Sequence, residues 1–152
     1  GWVRRTELVT YLLDTNAVSE ITRPRPDPGF QAWMATVRPG DSYLSVLTVG
    51  ELRRGIANLP GGRKRDLLES LNRELVDGFE GRVLPITVEI ANLWGDMSGL
   101  ARNRGRAIAV VDGLIAATAI VHDLTVVTRN LWDFDPTECR MLCPWDQGPS
   151  AG

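Results

Sequence analysis

Four carboxylates fall where an α/β protein places its chemistry. Asp14 ends the apolar run "YLL" at residues 11–13, and Asp112 interrupts the longest apolar stretch, "AIAVVDGLIAATAIV" at 107–121. Glu51 lies near the start of the helical segment after "DSYLSV" (41–46), and Asp133 follows "LTVVTRN" (124–130). A charge in apolar surroundings is expensive unless it is paired, and two carboxylates a few ångströms apart repel one another. A divalent cation removes that cost. Hard oxygen donors with no neighbouring His or Cys favour Mg²⁺ or Mn²⁺ over Zn²⁺. Each residue also has a purely structural reading. Asp14 and Asp112 are good helix N-caps, Thr48 with Glu51 fits the capping box T-x-x-E, and Asp133 in "DFDP" suits a turn. Four such residues, each at a strand-to-helix junction, are harder to explain that way.

Other chemistries lack residues. The single histidine, His122, lies beside Asp123 at the end of an apolar helix, which suits a helix-end or surface role. A Ser-His-Asp triad or a paired-His nuclease site therefore has nothing to use. There is no Walker A pattern and no G-x-G-x-x-G after a strand. Cys139 and Cys143 make no disulfide framework. The net charge of −2 argues against a strongly basic, non-specific nucleic-acid binder. It leaves room for a local basic site, because 16 of the 17 basic residues are arginines, the better bidentate partners of phosphate. With no signal-peptide pattern and no apolar run of about 18 residues, a soluble cytoplasmic protein without membrane contact is the expectation.

The elements that must hold these residues read as an alternation. Strands are expected at 7–14, 41–46, 82–86 and 124–130, with a last edge strand at 140–145. Helices are expected at 30–37, 48–59, 63–79, 87–105 and 112–123, and the three prolines of "SEITRPRPDPG" (19–29) predict a loop. Helix 48–59 gathers Val49, Leu52, Ile56 and Leu59 on one face, and helix 63–79 gathers Leu67, Leu68, Leu71, Leu75 and Phe79. Strands alternating with helices imply a parallel sheet covered on both faces, a three-layer α/β/α sandwich. Sites in such sheets form at the carboxyl ends of the strands, so the four carboxylates would share one edge.

"LLDTNAVSE", "YLSVLTVGELRRGI", "VVDGLIAATAIVHDLTVVTRNLWDF" and the terminal "PW" resemble PIN-domain ribonucleases, the VapC and FitB-type toxins. The resemblance runs from about residue 8 to about 146. It leaves residues 1–7 as an N-terminal extension and 147–152 as a C-terminal tail. It implies a central parallel sheet of five strands, and cleavage of RNA with a divalent metal held by acidic residues. It also implies a small antitoxin protein as partner, and a homodimer. By motif, Asp14, Glu51 and Asp112 match the family's first three acidic positions. The fourth departs: some relatives carry Asp directly after "TR", where this chain has Asn130, and Asp133 is the nearest carboxylate. Thr15, Asn16 and Ser45 resemble the small polar residues lining such sites.

On this reading Asp14 and Asp112 ligate Mg²⁺ or Mn²⁺ directly, Glu51 and Asp133 act through water or a second metal, and the reaction is phosphodiester hydrolysis. Arg129, and Arg102, Arg104 and Arg106 before Asp112, are candidate phosphate contacts or simply solvated loop residues. The apolar faces of helices 48–59 and 63–79 offer a dimer face or a groove for an antitoxin helix. Three alternatives bear weighing. A receiver-like module needs a lysine after a late strand, and here that strand ends "VTRN". A haloacid-dehalogenase-type phosphotransferase opens D-x-D, and here the motif is "DTN". A PIN domain with weakened catalysis, binding RNA or protein, is the alternative that Asn130 leaves open.

Overall fold

The computed structural model of the chain describes residues 9–146. The N-terminal extension, the tail and the start of the first expected strand lie outside the described residues. Strand β1, Tyr11–Leu13, carries two consecutive leucines, Leu12 and Leu13, both fully buried. Neighbouring strand residues point to opposite faces, so burial of both means that β1 is covered on each side. The strands β2 (Ser42–Ser45), β3 (Val83–Leu84), β4 (Thr125–Val127) and β5 (Met141–Leu142) join it in the order β3-β2-β1-β4-β5, every pairing parallel. The described residues thus form the five-stranded parallel sheet expected.

Two apolar layers flank it. Leu12, paired in register with Val126, packs on one face with Ile115, Ala116, Ala119 and Phe134. Leu13, paired with Val127, packs on the other with Ala17, Val18, Phe30, Leu44 and Trp145. The helices are α1 (Thr15–Ile21), α2 (Pro28–Met34), α3 (Val46–Ala57), α4 (Arg63–Gly78), α5 (Val88–Asn103), α6 (Val110–Val121) and the single turn α7 (Leu131–Phe134). Helix α6 lies close to α5 because its inner positions are small. A Cβ on Gly113 would stand 2.7 Å from the Trp94 ring, so only glycine fits there. The "PGG" break before α4 ends at Gly62, whose φ of +143° suits glycine.

Some boundaries differ from the sequence reading. The loop expected over 19–29 is shorter, because α1 runs to Ile21 and α2 begins at Pro28. Proline is well tolerated at a first helical position. On α4, Leu68, Leu71 and Leu75 are half-buried but Leu67 is 60% exposed, so the apolar face is narrower than expected.

A buried carboxylate ties the chain's end to its beginning. The side chain of Glu20, on α1, is 3% exposed and accepts from the Trp145 indole Nε1 (2.8 Å), the Asp27 backbone N–H (3.1 Å) and Arg23 (3.3 Å). Burial alone would raise its pKa, but these donors outweigh burial and hold it below the ordinary value. The Trp145 ring meets Phe30 at 4.9 Å. Replacing Trp145 by Phe keeps the ring and deletes the donor, leaving a buried carboxylate one partner short. The expected loss in urea denaturation is about 1–3 kcal/mol, and an unchanged midpoint would refute the clamp.

Candidate active site at the carboxyl edge of the sheet

β1 ends where its backbone turns into α1. The Asp14 N–H still donates to the Val127 carbonyl (3.1 Å), continuing the ladder, while the Asp14 carboxylate accepts from the Ala17 N–H (2.8 Å) and so caps α1. The capping reading of Asp14 is therefore correct as far as it goes. A cap is ordinarily solvated, however, and Asp14 is 5% exposed. Burial pushes its pKa up to about 6, the Thr128 hydroxyl and the Ala17 N–H oppose the rise, and the charge of Asp112 adds to it. The pairing of Leu13 with Val127 explains Thr128: the next residues along, Asp14 and Thr128, are neighbours at the sheet edge.

Asp112 lies in the first turn of α6, not at its cap, which is Ala109. The helix starts two residues earlier than its sequence suggests, and a carboxylate in the first turn suits the helix dipole. Its pKa is raised by burial first, then by the charges of Asp133 and Glu51. These couplings bring all four acidic residues into one electrostatic group: Asp14 with Asp112, and Asp112 with Asp133 and Glu51.

Glu51 sits on the second turn of α3 and accepts from the Thr15 hydroxyl at 2.5 Å. The expected capping box of Thr48 and Glu51 does not form. Ser45 ends β2 and caps α3 itself by accepting from the Leu47 N–H (3.0 Å), so no loop separates strand from helix. Thr48 is buried, and its hydroxyl has no hydrogen-bond partner among the described residues. Asp133 occupies the third position of α7, not a plain turn. Asn130 precedes that helix with no side-chain cap bond, and its N–H donates to the Thr128 hydroxyl (3.0 Å).

Thr128 is a site residue that the sequence reading missed. A threonine after an apolar strand carries no signal by type. The parallel between "LLDTN" and "VVTRN", two buried strands ending in a polar residue, was the available hint. Asn16 is exposed on α1 beside Arg129, in a cavity also lined by Arg23 and Trp145. Arg106 borders a cavity of about 390 Å³ together with Asp112 and Asp133. Arg104 pairs with Glu138 at 3.8 Å, and Arg102 is exposed in the last turn of α5. A third cavity, of about 330 Å³, is an apolar groove between α1, α3 and α4. Leu52, Ile56, Leu68 and Leu71 line it, and Thr15 and Glu51 join it to the acidic site.

Among the described residues, no three acidic, His or Cys side chains stand close enough to enclose a metal ion as they are. The donor chemistry still fits a hard divalent cation. The groups are oxygen donors, and burial first, then neighbouring carboxylate charge, raises the pKa of Asp14 and Asp112, so a cation would stabilise their charged forms.

The raised pKa of Asp14 has a consequence for stability. Its folded value, about 6, lies above the ordinary 3.8, so the native state holds this proton more tightly than the unfolded chain. The charged form destabilises the fold above that range, and the penalty fades as pH falls toward 4. In EDTA near pH 8, Asp14→Asn is therefore expected to be more stable than the unmodified chain, by up to about 3 kcal/mol. The difference should vanish near pH 4. Thermal melts of both proteins across this range test it, and a less stable variant at pH 8 would assign Asp14 to capping alone.

The PIN domain family model matches residues 11–134. The chain is 41% identical over 135 residues to Toxin FitB of Neisseria gonorrhoeae, covering 88% of this chain and 97% of that protein. It is 35% identical over 136 residues to VapC ribonuclease Y4jK of Sinorhizobium fredii, covering 89% and 97%. The crystal structure of FitAcB from Neisseria gonorrhoeae superposes with a TM-score of 0.84 at 40% identity, covering 90% of this chain and 99% of the other. With its parallel sheet and the acidic group at the carboxyl edge, the chain belongs to the PIN-domain family.

Proposed function

We propose that this chain is a divalent-metal-dependent endoribonuclease and the toxin of a toxin–antitoxin pair. The observation that carries the reading is the placement of Asp14 after β1, of Glu51 in the second turn of α3, and of Asp112 and Asp133 in the first turns of α6 and α7, at the carboxyl edge of a parallel sheet. Relatives named as a toxin and as a ribonuclease support it.

Asp14 and Asp112 would hold Mg²⁺ or Mn²⁺ directly, with Glu51 and Asp133 reaching it through water. Such an ion, when bound, would supply a water of lowered pKa and would offset charge growing on the phosphate. The reaction is hydrolysis: a water oxygen bonds to phosphorus, the bond to the leaving ribose oxygen breaks, and a proton from the water ends on that oxygen. Thr15 fixes the rotamer of Glu51 through its 2.5 Å hydrogen bond, so Glu51 can accept from and orient the attacking water. Thr128 and the Ala17 N–H hold Asp14 in place. Asn130 supports the site as a neutral amide, with Asn16 and Ser45 lining its wall, and Arg129, Arg102 and Arg104 are phosphate contacts.

A toxin must be restrained in the cell that makes it. The groove between α1, α3 and α4 is mostly apolar, with Thr15, Ser19, Thr22, Glu51 and Asn72 as its polar lining, which suits an amphipathic antitoxin segment. The same proposal includes a homodimer. Val88 is 78% exposed, and Leu100 and Ile120 are also exposed on the neighbouring α5 and α6, apolar surface that a second copy would cover. Among the described residues no helix is long and apolar enough to cross a membrane, and we place the protein in the cytoplasm.

RNA cleavage should stop in EDTA and return with Mn²⁺. Full activity in chelator would sink the metal mechanism. Asp14→Asn should abolish cleavage, whereas Asp133→Ala should slow it by about 10- to 100-fold, the scale for groups acting through an intermediary. Asn130→Asp should be tolerated. If Asp133→Ala is silent and Asn130→Ala severe, the amide fills the fourth position and the site has three carboxylates. Cleavage rates with calorimetric Mn²⁺ titration separate the two cases.

A further inference from the structure

Among the described residues, Trp132 is the large aromatic that the core does not absorb. Helix α7 is pinned by Phe134, which is 1% exposed in the apolar layer beneath α6. Two residues along a helix lie on roughly opposite sides, so burying Phe134 turns Trp132 outward, and 58% of its surface meets solvent. Its position is nonetheless held. The Arg106 guanidinium lies 4.1 Å above the ring centroid. Arg106 also donates to the Trp132 carbonyl (3.1 Å) and to Asp135 (3.3 Å), which fixes the cation over one face of the ring. This committed geometry gives Arg106 a different task from the free phosphate contact that its sequence position suggests.

The ring lines the cavity of about 390 Å³ that Asp112, Asp133 and Arg106 line as well. That volume falls within the range of roughly 300–1,000 Å³ typical of small-ligand sites. An exposed indole, held by a guanidinium over one face and lining a cavity with two acidic residues, has an obvious use. Nucleobases stack on aromatic faces whatever their sequence, and single-stranded RNA is recognised largely this way. A phosphodiester lying against Asp112 and Asp133 brings the base of an adjoining nucleotide to this wall.

We propose that Trp132, oriented by Arg106, is the stacking platform for a nucleobase flanking the scissile phosphodiester. The proposal rests on the ribonuclease reading and specifies the substrate: RNA with an unpaired base next to the cut. Trp132 is here a binding residue, and Arg106 a positioning residue that acts through it.

The test starts by mapping the bond cut in a mixed-sequence single-stranded RNA. Cleavage kinetics are then compared for the unmodified chain, Trp132→Ala and Trp132→Phe. Stacking on one base contributes roughly 5- to 100-fold in affinity, so Trp132→Ala should raise KM on that scale with kcat little changed, and Trp132→Phe should retain part of the effect. Arg106→Ala should raise KM less than Trp132→Ala, and should add nothing to it in the double variant. The second arm uses substrates with an abasic ribose at each nucleotide flanking the cut. At one such position the unmodified chain should lose affinity while Trp132→Ala loses no more. Unchanged KM in Trp132→Ala, or equal losses in both proteins at every abasic position, would overturn the platform. So would a dimer, seen by sedimentation, that Trp132→Ala dissociates without altering RNA kinetics, since the ring would then serve contact between copies. If the unmodified chain neither binds nor cuts RNA, the ribonuclease reading fails first, an outcome distinct from cleavage that is indifferent to Trp132.

Discussion

The burial of Asp14 sets the terms for the rest of the molecule. It ends the central strand, where the sheet is covered on both faces, so its carboxylate cannot escape to water. The fold meets it with hydrogen-bond donors, the Ala17 N–H and the Thr128 hydroxyl, and leaves Asp112 nearby to repel it. The result is a carboxylate whose pKa is pushed well above its usual value. Such a site is destabilising by itself and gains when positive charge arrives, the balance that a cation-dependent centre requires.

The parallel sheet makes this arrangement possible. All five strands point the same way, so each delivers its last residue to one edge. By extension of the register, Ser45, Asp14 and Thr128 follow β2, β1 and β4 at that edge, and helices starting there add Glu51, Asp112 and Asp133. One acidic residue per element needs no elaborate loop. The direct passage from Ser45 into α3 shows how short the connection can be.

Around the acidic centre the surface divides by chemistry. An apolar groove approaches from the side of Glu51 and Thr15. On the side of Asp112 and Asp133 lies a polar cavity walled by Trp132 and Arg106. Arginines 23 and 129 line a third approach past Asn16. On the proposed function, a protein partner and an RNA strand would reach one centre along different paths. An occupant of the groove would then act at Glu51 without needing to cover the Trp132 wall.

The sequence by itself determined the alternation of strands and helices, and with it the parallel sheet, because hydrophobic periodicity is a local property. It also marked Asp14 and Asp112, since a charge inside an apolar run stands out against its neighbours. Helix starts were less legible. Ser45 instead of Thr48 caps α3, and Ala109 instead of Asp112 stands at the cap of α6, because strand ends and packing decide where a helix begins. Thr128 became visible only through the pairing of Leu13 with Val127. The bond from Trp145 to Glu20 joins residues 125 positions apart, beyond any local pattern. The exposure of Trp132 likewise depends on Phe134 finding the core. Local pattern sets which element forms; neighbours brought together by tertiary packing decide which side chains meet, which are desolvated, and which are left to act.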